Sequence, residues 1–580
     1  MKYIKYIAAI VVPAMVSVSC DDFLDRPTED NYNVDNYYQT DDQCIAGVNY
    51  LYNSPWYDFQ RGFFKIGEIM SGNYYMGSSP YLNFTTNGTD EDLVNMSYSL
   101  WAVNGHCNTV IMNINNASGP SQSAKDQCIG EALTWKAMAY FYLVRNFGAV
   151  PIIHDNNATL TSNTYNDVRK VNKEDVYEYI IMTLEKAMEL LPKATSFDGR
   201  IDYYSAEGLL AKVYLTRSGV TGTRSESDLA KAAEYAKDVI DNSGRSLTPE
   251  YSDIFRLSTS TYNQTGEPMI SWLWSASRNP WTQQNTLQSD LGIVGFDEYG
   301  DVWGGYGGMS VDLQDAFGAS VLDDPSSRLG EKDSRRKATM MMPGDVYEYF
   351  WTDKGGFDYI RFLYDSDDYG KGGPGLLQSA TGSNTVKHLY GDAYDHQQAT
   401  GVSAANMCSQ LPTHILRLAD VYLIYAEAKL GTAASTTDAD ALAAFNAVRS
   451  RAGVSTKESI TWDDIWKERR LELAMEGDRW YDYVRRSYYD MDGAIAELKA
   501  QRRNCYWGLS DLYESYYNTG SWDKALVDAV QYEPVTSTPI PNVTASSFTL
   551  PFPSEDVVFN PNLNKDPIHV DVRSTYSYDF

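Results

Sequence analysis

The chain has 580 residues, 43% of them hydrophobic, which is enough to bury a large core in one to three domains. It carries 48 Lys plus Arg against 77 Asp plus Glu, a formal net charge of −29. That balance argues against nucleic acid or anionic lipid as a partner, because both need a cationic surface.

The chain opens with MKYIKYIAAIVVPAMVSVSC. Lys2 and Lys5 precede an apolar stretch, Ile7 to Val18, too short to span a bilayer. Small residues then lead to Cys20, the layout of a signal peptide over 1–19 ahead of a mature domain over 20–580. The end, Val16-Ser17-Val18-Ser19-Cys20, resembles a bacterial lipobox, with Ser17 where Leu is usual. Cleavage before Cys20 would leave its thiol and amino group for lipid, and no later apolar run reaches about 18 residues, so that lipid is the expected anchor. Five further cysteines, Cys44, Cys107, Cys128, Cys408 and Cys505, are scattered without a CxxC pair. They indicate neither a zinc site nor a disulfide framework, and their pairing stays open.

Three helix pairs follow in chain order. Glu131 to Phe147 pairs with Lys173 to Leu191, Tyr204 to Arg217 with Ser227 to Asp241, and His414 to Leu430 with Asp438 to Arg451. In each, apolar residues recur at three- and four-residue spacing. Gly148, Pro192, Gly219 and Gly431 stand as terminators, and Asn172 as an N-cap. The segment Leu210 to Leu215 echoes Leu418 to Leu423, with Ala at close-contact positions, in the style of tetratricopeptide repeats. The predicted fold is mainly α: a tetratricopeptide-like helix-pair scaffold with long loop and small β insertions around 72–98, 262–310 and 343–398. Within the second insertion, Ile270 to Trp274 alternates like a strand, which places Trp272 and Trp274 on one face.

Loops on a rigid scaffold are where binding residues usually lie. Tyr outnumber Phe by 45 to 19, although a buried phenol needs a hydrogen-bond partner. Rings at a sugar-binding surface explain that excess, as does dense packing between helices. Tyr74, Tyr75, Tyr81, Trp281, Tyr306 and Trp351 sit among polar residues or glycines and are the candidate stacking rings. Asn73, Arg278, Asn279 and Asp301 are the candidate polar partners for sugar hydroxyls. Trp303, in the glycine-rich turn, reads as structural. Glu468, Glu472 and Glu476, spaced by four, could tempt a glycosidase reading. The arginines around them predict a salt-bridge network that depresses their pKa and disqualifies a general acid. None of the six His forms a metal-ligand spacing, and no nucleophile elbow or phosphate loop appears, so neither cofactor nor metal is expected.

Several segments together resemble the SusD/RagB family of outer-membrane nutrient-binding lipoproteins. They are Cys20 to Asp25 with Pro27, Asn146 to Pro151, Arg417 to Ala428, Phe445 to Gly453, Ile465 to Arg485, and Leu550 to Pro553 with Asn560 to Leu563. The resemblance spans essentially the whole mature chain. It implies a helical domain of four tetratricopeptide-like pairs, lipid-anchored at the outer membrane and facing outward. It also implies a SusC-like TonB-dependent transporter as partner, with an oligosaccharide held between the two proteins. A branch of the family takes peptides, so a peptide-uptake protein is the alternative, and a surface glycoside hydrolase a more distant one.

Overall fold

The computed structural model describes residues 37–195, 198–259, 266–277, 281–297, 302–365, 369–370, 375–404, 407–533 and 541–580. Its frame is a run of helices: α1 (Asp41–Asn49), α2 (Phe59–Phe64), α3 (Glu91–Asn116), α4 (Gln122–Phe147), α5 (Lys173–Leu190), α6 (Tyr203–Arg217), α7 (Glu226–Asn242), α8 (Leu287–Leu291), α9 (Leu418–Leu430), α10 (Ala439–Arg451), α11 (Trp462–Glu472) and α12 (Arg479–Ser487). Short strands β1 (Tyr74–Tyr75), β2 (Pro268–Trp272), β3 (Gly308–Met309) and β4 (Thr413–Arg417) matter most for the site.

Local chemistry sets the helix ends. Asp90, Ser121, Asp202, Ser225 and Asp438 each accept a backbone N–H from the first turn of α3, α4, α6, α7 and α10. Thr461 and Asp464 close a capping box on α11. Asn172 does precede α5 but makes no side-chain cap bond. Glycines at positive φ, Gly148 and Gly431, end α4 and α9.

Packing then follows chain order: α3 lies on α4, α4 on α5, α5 on α6, α6 on α7, α7 on α9, and α9 on α10. This is the predicted stack of helix pairs, extended at its start by α3. Two predicted boundaries change. The helix expected from Glu131 begins at Gln122, where Ser121 supplies the cap. His414 to Arg417 is strand, not helix, because β4 pairs antiparallel with β2, with Trp272 opposite Thr413. Trp272 is fully buried against Trp56, Phe59 and Phe63.

Two buried ionic networks tie the last third of the chain to the rest. In the first, Glu468 meets Arg335 at 2.6 Å, while Glu472 and Glu476 meet Arg417 at 3.2 and 2.7 Å. Lys387 adds a bond to Glu476 at 2.7 Å, and Arg451 one to Glu267 at 2.9 Å. Burial pushes the Glu472 carboxyl up, but Arg451, Arg417 and Arg335 overcome it and hold it down at about 2. In the second network Asp420 accepts from Lys212 and Arg469, and Arg485 grips Glu427. There too burial raises Asp420 and the two cations pull it back to about 2. These carboxylates are structural partners, as the arginine-rich sequence predicts. Glu476, however, lies past the end of α11 rather than on its face.

Candidate functional site

The insertions meet over one end of α2. The helical run from α2 into Lys65–Met70 places Arg61 and Lys65 four residues apart, on one face. β1 pairs antiparallel with β3, Tyr74 opposite Met309 and Tyr75 opposite Gly308, and so carries the glycine-rich turn 304–308 onto the same place. Gly307 is required there: a Cβ would stand 2.4 Å from the Tyr74 ring. The helix α8 closes the far side. The result is a cleft of about 610 Å³ lined by Arg61, Lys65, Tyr75, Asp290, Trp303 and Tyr306, with the buried Tyr74 in its wall.

Trp303 is fixed from both ends. Its backbone N–H donates to Ser289 O at 3.0 Å, and its indole Nε1–H donates to Asp290 Oδ1 at 3.0 Å. The ring is still 45% exposed. Tyr306 follows at 65% exposed. Trp281, in the short helix Trp281–Gln283, is 46% exposed. Tyr75 is half-buried, its phenol hydrogen-bonded to the Cys505 thiol, and burial pushes its pKa up. Exposed rings and charged donors and acceptors therefore share one cleft, suited to a ligand with apolar faces and hydroxyl edges.

Burial raises the Asp290 carboxyl above the usual aspartate value, against the pull of Arg61 and Trp303. Arg61 Nε lies 3.9 Å from Asp290 Oδ2, too far for a hydrogen bond. Its N–H groups therefore remain able to donate to a ligand.

Of the predicted site residues, Tyr75 and Tyr306 come together here with the buried Tyr74, while Trp281 is exposed but does not line the cleft. Three others do not offer a surface. Tyr81 is buried, its hydroxyl donating to Asp90 Oδ1 at 2.5 Å. Trp351 is buried among Phe296, Phe357 and Phe362, and its Nε1–H donates to Phe296 O. Asn73 is buried as a link, donating to Glu68 Oε2 and accepting from Arg470 Nε. Trp351 is covered partly by rings of its own segment, Phe357 and Phe362, Tyr81 is held by the nearby Asp90, and Asn73 is reached by the remote Arg470. Arg278, Asn279, Asp301 and the lipidation candidate Cys20 lie outside the described residues. Sequence reasoning missed Trp303, Arg61 and Asp290. The glycines after Trp303, which leave its ring uncovered, were the available signal.

A second groove, about 660 Å³, lies between α3, the 151–168 connection and residues 552–563. Tyr98, Trp101, Tyr165 and Phe559 line it, and its only charged lining residues are Glu555 and Asp556. Its walls are more apolar and carry no arginine or lysine donor, so the first cleft is the better match to a polyhydroxylated ligand.

The fold is a helix-pair scaffold that carries an open aromatic cleft in its insertions. The comparisons with known proteins place it more closely. The SusD family model matches residues 269–569, more than half of the chain, and a model described as starch-binding associating with outer membrane matches residues 70–215. The chain belongs to the SusD family. It is 33% identical over 575 residues to a SusD-like protein of Bacteroides ovatus, covering 96% of this chain and 97% of that one. It is 26% identical over 518 residues to SusD-like protein P2 of Formosa agariphila, covering 83% and 90%. A crystal structure with xylogluco-oligosaccharide is 30% identical, with a TM-score of 0.75 over 93% of this chain and all of that one.

Proposed function

We propose that this protein captures oligosaccharides on the exposed rings Trp281, Trp303 and Tyr306, at the outer surface of the outer membrane, and passes them to a SusC-like TonB-dependent transporter. The observation that carries this reading is Trp303, a large ring left open to solvent while both its backbone and its indole nitrogen are held rigid. A ring fixed before the ligand arrives loses little entropy on binding. The similar structure that holds a xylogluco-oligosaccharide favours a ligand of that kind. Lipid at Cys20 supplies the membrane attachment. No helix among the described residues is long and apolar enough to cross a membrane. The protein binds without altering the ligand: the carboxylates of α11 are buried in arginine pairs rather than facing a cleft.

Calorimetry and affinity electrophoresis of the mature chain against plant, host and microbial polysaccharides test this. Binding of one glycan class, lost in Trp303→Ala and Trp281→Ala, supports it. Hydrolysis of that glycan by stoichiometric protein would defeat the binding-only reading. The second groove favours the peptide-uptake alternative, because an apolar trough with an acidic rim suits a basic, apolar peptide. A signal from peptide mixtures alone, lost in Tyr98→Ala, would replace the first reading with that one.

A further inference from the structure

Both cations at the cleft are offset by carboxylates, and this bears on which glycans enter. Lys65 is ion-paired to Asp92. Arg61 stands between Asp290, 3.9 Å away, and Asp58, both close enough to feel its charge. Two cations thus face three carboxylates among the described residues, inside a chain whose formal net charge is −29. The geometry separates hydrogen bonding from charge. Arg61 is half exposed and makes no hydrogen bond to Asp290, so its donors are available while its charge is offset. An acidic sugar needs the reverse, a cation without a counter-charge that can take a carboxylate in a bidentate grip.

We infer that the cleft selects neutral oligosaccharides and rejects those bearing uronic acids or sulfate, the rejection being set by the Arg61–Asp58–Asp290 and Lys65–Asp92 groupings. This rests on the glycan-binding reading above and narrows its ligand to an uncharged class. A carboxylate brought onto the platform would meet Asp290, with Arg61 and Lys65 already offset by carboxylates. The protein's wider field would also repel it before contact. Hydroxyls meet no such penalty.

The test uses one xylogluco-oligosaccharide in two forms, as isolated and with its accessible C6 hydroxymethyl groups oxidised to carboxylates. Calorimetry on the wild-type mature chain at low salt should show the neutral form binding about tenfold or more tightly. In about 0.5 M NaCl the gap should narrow by roughly threefold or more, through loss of affinity for neither form but gain for the acidic one, because screening weakens repulsion between exposed charges. The double variant Asp58→Asn with Asp92→Asn, which leaves Lys65 uncompensated, should narrow the gap at low salt. The salt series on wild type stands alone if the variant folds poorly. Equal or tighter binding of the oxidised form overturns the inference. So does a gap that salt leaves unchanged, which would mean a lost hydroxyl contact rather than repulsion. Binding of neither form overturns the glycan reading and this inference with it, whereas neutral binding without discrimination overturns only the inference.

Discussion

The indole nitrogen of Trp303 donates to Asp290 Oδ1 at 3.0 Å, so one carboxylate from α8 sets the angle of an exposed ring in the cleft. Asp290→Ala frees that ring to rotate. The expected outcome is a loss of glycan affinity of about three- to tenfold, with little change in melting temperature, since ordering the ring then falls on the binding step. Calorimetry paired with a thermal melt checks it.

The same carboxylate gives binding a pH dependence. Burial raises Asp290 above the ordinary aspartate value, so it takes up a proton at a higher pH than an exposed aspartate would. The protonated acid is a weaker acceptor for the indole N–H. Affinity should therefore fall as the pH is lowered toward the acidic range, and Asp290→Asn should flatten the curve. A wild-type affinity constant from pH 7 to pH 4 would contradict this.

Exposed and buried tryptophans should separate cleanly. Trp303→Ala and Trp281→Ala are expected to lower affinity by about tenfold or more, near 1.4 kcal/mol, at unchanged stability. Trp351→Ala should cost about 3–5 kcal/mol of stability through the cavity it leaves among Phe296, Phe357 and Phe362. Denaturant titration beside calorimetry reads both quantities.

Gly307→Ala should act on the turn. The added Cβ would stand 2.4 Å from the Tyr74 ring, which is locked against Phe64, so the backbone must move. The neighbouring Tyr306 moves with it. Affinity should drop several-fold, and a crystal structure of the variant should show Tyr306 displaced. An unmoved turn would refute the argument.

Acid should dissolve the ionic networks in a defined window. Asp420 and Glu472 have folded pKa values held at about 2, below the roughly 4 of an unfolded carboxyl. Their stabilisation is complete above the unfolded value and is lost as the pH falls through about 4 toward about 2. Arg417→Leu, which strands Glu472 and Glu476 without their shared partner, should cost about 3–5 kcal/mol at neutral pH. Thermal melts across that pH range, for wild type and variant, provide the check.

The helical frame was legible because its signal is local. The period of apolar residues in α4, α6 and α9, and the glycines that end α4 and α9, report the structure without knowledge of what packs above, whereas the cap at Ser121 went unread. The four residues before Leu418 were misread as helix since their fate depends on β2, about 150 positions earlier in the chain. The site follows the same logic. Arg61, Asp290 and Trp303 meet only after β1 has paired with β3, and nothing near Arg61 in sequence announces that pairing. Trp351 and Tyr81 read as exposed, yet Phe296, Phe357 and Phe362 enclose the first and Asp90 holds the second. A ring's exposure is a property of the whole fold, whereas a helix cap belongs to four residues.

Trp303 and Tyr306 stand on a five-residue turn, 303–307, whose hold on the body is a few bonds to α8 and to Asn384. The helix stack draws almost none of its stability from them. Substitutions at Trp303 and Tyr306, though not at the glycines between and after them, can then accumulate with little effect on folding, so ligand preference can drift between descendants of one ancestor while the frame stays constant. Selection for a new food source would act on a handful of codons rather than on a new protein.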